Sequence, residues 1–174
     1  RKDILNQMWD LGVTLAIPEE MPPDPYQEVW QEMAAGLVVG SQGQNEGQFS
    51  QPRGIAVSPD GNIYVTDSGN YRVQVFTPQG QFLRSWGGPG AEPGQFTEPW
   101  GIAVAPNGDV YVADTWNHRV QWFDAQGQFK GMWGYFSDSG GTLEGNPSAF
   151  YGPRDVVIDD EGYVYIVDRL KDMI

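Results

Sequence analysis

The sequence repeats itself, and the repeat limits what the chain can become. Shifted by 47 residues, Phe49–Gly87 falls on Phe96–Gly134 with 22 identities in 39 positions. A third copy starts at Phe150, shifted by 54 from the second, and runs FYGPRDVVIDDEGYVYIVDRLKDMI to Ile174. Upstream, Gly36–Phe49 matches the tail of the first copy: Gly40 falls on Gly87, Gly43 on Gly90, and Gly47-Gln48-Phe49 on Gly94-Gln95-Phe96. Leu37–Val39 therefore reads as the outermost strand of a preceding unit. Units repeated at this period cannot bury their apolar faces alone and must stack on one another.

Each copy divides into four short apolar segments, which in the first are Gly54–Val57, Asn62–Thr66, Arg72–Phe76 and Gln81–Trp86. Pro59-Asp60-Gly61, Asp67-Ser68-Gly69-Asn70 and Pro78-Gln79-Gly80 separate them with turn chemistry. No segment between turns exceeds about six residues, too short for a helix. Ile55-Ala56-Val57 and Ile63-Tyr64-Val65 are apolar on both faces, as expected of strands in a sheet covered on both sides. Arg72–Phe76 alternates more, which places it nearer a rim. Small antiparallel sheets stacked face to face form a β-propeller. The expected fold is thus all-β: a propeller of four-stranded antiparallel blades, preceded by a short helical and Pro-rich segment.

The motif P-x-G-I-A-V-x-P-x-G-x-[IV]-Y-V-x-D-x-x-N-x-R-V-Q-x-F, present twice, closely resembles the repeat of the NHL family. The resemblance covers Gly36–Ile174, and Asp114–Arg119 is similar to bacterial variants. The third copy departs from it: Gly54 and Gly101 become Asp155, and the Asn and Arg positions become Lys171 and Met173. The resemblance implies a six-bladed ring, which at this period needs roughly 280 residues. The chain therefore holds about half a ring, and further residues of the same protein are expected to complete it. The domain reading is a lead-in over 1–35 and a partial propeller over 36–174. The latter comprises an outer strand (36–48), two blades (49–95 and 96–149) and a partial blade (150–174).

The lead-in has its own signals. Asp24 followed by Pro25, with Gln27 three positions on, is a helix start. Tyr26, Val29, Trp30 and Met33 follow at helical spacing and Gly36 stops the run, so Pro25–Ala35 is expected to be a helix packing on the propeller. Arg1–Leu11 reads as a second amphipathic helix, and Ile17–Pro25 as an acidic, Pro-rich linker. The arrangement resembles the linker before propeller tails attached to some bacterial membrane glycosyltransferases. That resemblance implies an extracytoplasmic or membrane-associated location.

A net charge of −13 repels phosphate backbones and anionic lipid, so nucleic acid is not an expected partner. No run approaches the ~18 apolar residues of a membrane span. With no cysteine, thiolate metal sites and a Cys nucleophile are excluded. Asp67, Asp114 and Asp168 recur at one repeat position, which points to a turn role, with Arg72 and Arg119 pairing to an Asp of the same or the next blade. The single histidine, His118, takes a position held by Tyr71 and Asp172 in the other copies and reads as a surface side chain.

NHL propellers acting as lyases rely on several His ligands. Lactonase-like propellers use acidic or amide groups near the central channel, where only Asp155 lies at an inner-strand start. No catalytic residue, metal ligand or cofactor is expected. By contrast, Arg53, Trp100 and Arg154 share the position just before each inner strand, where neighbouring blades set them side by side. Trp116 follows Asp114 at the same face. Variation at an otherwise repetitive position, with Arg and Trp as anchors, points to recognition of a protein partner, an acidic peptide or a carbohydrate. The expected function is a non-enzymatic protein-binding or scaffold module. The alternatives are an extracytoplasmic propeller domain of a membrane-bound glycosyltransferase-like protein, and a metal-dependent lactonase or lyase.

Overall fold

A computed structural model describes residues 40–136 and 149–168. The chain divides into two units, 1–36 and 37–174, and all described residues belong to the second. The expected helices, the Pro-rich linker, the Leu37–Val39 strand and the end of the third copy lie outside the described residues.

The first blade is an antiparallel sheet of β3 (Pro52–Val57), β4 (Ile63–Asp67), β5 (Arg72–Phe76) and β6 (Phe82–Gly87), in that order. The second repeats it with β7 (Pro99–Val104), β8 (Val110–Asp114), β9 (Arg119–Phe123) and β10 (Phe129–Trp133). In the third, β13 (Pro153–Ile158) pairs with β14 (Val164–Asp168). These strands follow the segmentation of the sequence to within a residue or two. The repeated Pro-x-Gly and Glu-Gly turns close the inner hairpins with Gly61, Gly108 and Gly162 at φ of +86°, +87° and +89°, a conformation that glycine adopts without penalty.

Blades are joined by parallel crossings that also recur. β1 (Ser41–Gln42) lies along β2 (Gln48–Phe49), Pro89 bridges Phe96, and β11 (Tyr135–Phe136) lies along β12 (Ala149–Phe150). A short 3₁₀ turn, Ser68–Asn70 or Thr115–Asn117, joins the second and third strands of each complete blade.

The core lies between blades. Tyr64, Val73 and Val75 of the first blade pack with Phe96, Ile102, Val110, Val112 and Phe123. Ala113 and Val120 of the second pack with Phe150 and Val156. Two sequence expectations need correction. The third strands are not near the rim in burial: β5 and β9 are almost wholly buried, because the polar members of their alternation, Gln74 and Gln121, are enclosed by the incoming inter-blade loop. The alternating rim strands are the fourth, β6 and β10. Nor are all inner strands covered twice. Ile102 is 5% exposed, whereas Ile55, its counterpart in the first blade, is 68% exposed; Tyr64 is 2% exposed, whereas Tyr165, its counterpart in the third, is 56% exposed. The middle blade is sandwiched, and each outer blade presents one apolar face that no described residue covers.

Candidate functional site

The inner strands of successive blades come very close together. A Cβ on Gly54 would run into the carbonyl of Trp100, and one on Gly101 into the backbone of Asp155. Glycine is required here because the sheets converge toward the propeller axis. Side-chain hydroxyls then pin the blades. Thr66 Oγ1 accepts from Gly54 N at 2.7 Å and donates to the Trp100 carbonyl at 2.5 Å. Ser68 donates to the Pro99 carbonyl, and its counterpart Thr115 to the Pro153 carbonyl at 2.7 Å.

Every inner strand opens with a proline followed by a register shift, between Pro52 and Ile55, Pro99 and Ile102, and Pro153 and Asp155. Such a bulge re-aims the residues within it. Those residues are Arg53, Trp100 and Arg154, and the blade spacing brings all three together. Each guanidinium carbon lies 4.0 Å from the centroid of the Trp100 ring system. The stack lines a concavity of about 270 Å³ together with Gly54, Ile55, Gly101, Ile102 and Asp155. Neither Arg53 nor Arg154 forms an ion pair among the described residues. Asp155 lines the same concavity without an ion pair to either, and its Oδ1 accepts the Val156 N–H at 2.9 Å. Trp116 is exposed at the same end of the second blade but does not line the concavity. Its indole N–H donates to Glu98 Oε2 at 3.1 Å.

The recurring aspartates are structural, by a route different from the expected turn cap. Neither caps its 3₁₀ turn. Asp67 Oδ1 accepts the Ser50 N–H at 2.7 Å, while Oδ2 accepts from Asn70 Nδ2, Arg72 Nε and Gln74 Nε2 at 2.8, 2.8 and 3.1 Å. Asp114 repeats this with Thr97 N, Asn117, Arg119 and Gln121 at 2.8, 2.9, 2.7 and 3.0 Å. The arginines and glutamines carry the network outward to the loop that leads into each blade. Arg72 donates to the carbonyls of Asn45 and Gln48, and Gln74 holds the Gly47 N–H and the Gln48 carbonyl. The salt bridges are thus within one blade. Burial pushes the Asp114 carboxyl above the ordinary carboxylate range, and the Thr97, Asn117 and Arg119 donors pull the other way. Asp168 receives the Tyr151 and Gly152 N–H groups.

His118 is half-buried rather than fully exposed, in a left-handed conformation at φ 55°, with Nδ1 2.8 Å from the Tyr151 carbonyl. Among the described residues no three His, Cys, Asp or Glu side chains converge as a metal-binding group. The sequence reading missed the hydroxyl pins and the buried glutamines. Ser68 and Thr115 share a repeat position, as do Gln74 and Gln121, and a hydroxyl or amide recurring beside apolar strands was the available signal.

The NHL repeat family matches residues 49–76 and 96–123. B-box type zinc finger protein ncl-1 of Caenorhabditis elegans is 43% identical over 61 residues, 35% of this chain and 7% of that protein. E3 ubiquitin-protein ligase TRIM71 of Mus musculus is 47% identical over 47 residues, 27% of this chain and 6% of that protein. The chain therefore spans only a small part of these relatives. Among solved structures, a gluconolactonase from Xanthomonas campestris superposes with a TM-score of 0.50 at 18% identity, covering 71% of this chain and 37% of that one. At that identity the likeness is one of fold. Residues 49–76 and 96–123 are thus matched as two NHL repeats, and they fold as the stacked four-stranded antiparallel sheets of a β-propeller.

Proposed function

We propose that the chain is a protein-binding propeller module whose docking face is formed by Arg53, Trp100 and Arg154. The observation that carries this reading is the stack itself. Two arginines from different blades flank a tryptophan at a concave face, and among the described residues neither forms an ion pair with a carboxylate, in a chain of net charge −13. Arg72 and Arg119 of the same repeats are instead committed to ion pairs with buried aspartates. Arg and Trp are the side chains that most often anchor protein interfaces. The carboxylates that recur through the repeats are engaged by backbone and side-chain donors, which favours binding over hydrolysis.

The apolar faces at Ile55 and Val57, and at Val157, Tyr165 and Val167, belong to this proposal too. Further residues of the same protein cover them and complete the ring. The docking reading is tested by selecting displayed peptides on the full protein and on its Arg53→Ala/Arg154→Ala variant. Peptides enriched on the unaltered protein and lost from the variant, with the melting temperature of the variant within about 2 °C, support it. Equal enrichment on both removes these residues from the docking face.

A further inference from the structure

We infer that the docking face takes an acidic peptide segment in extended conformation, with two carboxylates spaced two residues apart. The inference rests on the reading of this face as a protein-docking surface. Both guanidinium carbons stand 4.0 Å from one ring centroid, so they are separated by no more than twice that distance. They reach the indole from the blades that flank it on either side, because β7 packs against both β3 and β13. Stacking uses the faces of the guanidinium groups and leaves their N–H edges for acceptors. Carboxylates are the acceptors that match such an edge, in pairs of parallel N–H···O bonds.

In an extended strand, side chains two residues apart point the same way and stand about 6.6 Å apart. That spacing lies within the reach of the two arginines, and the intervening side chain points away. Neighbours one or three apart face opposite sides. A helix also brings acids together at i and i+4, which the helical peptide in the test below sets against the extended one. The overall charge of −13 adds a selection on the partner. Distant charges are screened beyond ~8 Å at physiological salt while the contact pairs are not, so a short acidic pair is favoured over a wholly acidic surface. Asp155 at the edge of the concavity discourages a third carboxylate.

The test uses fluorescein-labelled twelve-residue peptides of Gly, Ser and Thr, titrated with the full protein by fluorescence anisotropy. They carry Glu pairs at i,i+1, i,i+2, i,i+3 or i,i+4 (the last in an Ala-rich helical background), a single Glu, or Gln at i,i+2. An oligouridine and an oligoglucuronate serve as the other anionic probes. The i,i+2 Glu peptide is expected to bind at least tenfold tighter than every other probe. Arg53→Gln or Arg154→Gln should reduce it to the level of a single-Glu peptide. Equal binding of the Gln peptide, no dependence on spacing, or tighter Arg-dependent binding of oligouridine or oligoglucuronate overturns the inference. If the Glu series fails while the selected peptides of the docking experiment still depend on Arg53 and Arg154, only the carboxylate spacing falls. If that dependence is also absent, both readings fall.

Discussion

Asp67 and Asp114 have no exposed surface, and each accepts four N–H donors. Removing such a carboxylate leaves an arginine, an asparagine and a glutamine directed at an empty place. The loss of one partner of a buried ion pair typically costs about 3–5 kcal/mol. Asp114→Ala is expected to destabilise the protein by that amount in urea denaturation. Arg53→Gln, which breaks only a stacked contact at an exposed site, should cost less than about 1 kcal/mol. The contrast separates two kinds of arginine that composition treats alike. Gly101→Ala is a second case at this scale. Its Cβ would meet the Asp155 backbone, so the inner strands must part, with an expected loss of about 1–3 kcal/mol in the same assay.

At the scale of elements, the device that repeats is a loop clamped onto a blade. Residues 43–48, and residues 90–95 that arrive from the first blade, are each held by the Asn, Arg and Gln of the blade they cover. The strand pairing alone does not supply these bonds, since the crossings are only one or two residues long. Gln121 Oε1 accepts the Gly94 N–H at 2.9 Å and its Nε2 donates to the Gln95 carbonyl at 2.7 Å. Gln121→Leu keeps the volume and leaves the Gly94 N–H unpaired, at a cost of about 1–3 kcal/mol. Hydrogen exchange of the Gly94 amide should accelerate by at least about tenfold, while amides in β7 and β8 keep their protection. Unchanged exchange at Gly94 would mean that the clamp does not hold the loop.

For the whole molecule, the counterparts Ile55 and Ile102 frame the question of closure. Ile102 is buried by the first blade, and Ile55 occupies the same place facing outward. If further blades of the same protein complete the ring, Ile55→Glu in the full protein buries an unpaired charge and costs more than about 3 kcal/mol, as Ile102→Glu does. In residues 1–174 alone, Ile55→Glu should leave the melting temperature within a few degrees while Ile102→Glu unfolds the chain. Thermal melts of the four proteins decide this, and a silent Ile55→Glu in the full protein would show that no blade covers that face.

The repeat determined much by itself. Its period, its Gly and Asp turns and its apolar strand segments specify four-stranded blades, because turn chemistry and side-chain alternation act over a few residues. The shared position of Arg53, Trp100 and Arg154 was likewise legible, since equal places in adjacent repeats become neighbours in space. What the repeat could not express was the role of residues that act between units. The burial of β5 depends on the loop that leads into its blade, so the alternation around Gln74 looked like a rim. The glycines at 54 and 101 matter only once the sheets converge, and Thr66 only once the Trp100 carbonyl arrives. His118 looked like a surface residue until the third blade brought the Tyr151 carbonyl to it. Local pattern selects the blade. Packing across sequence separations of more than twenty residues decides which polar side chains are pins and which are clamps.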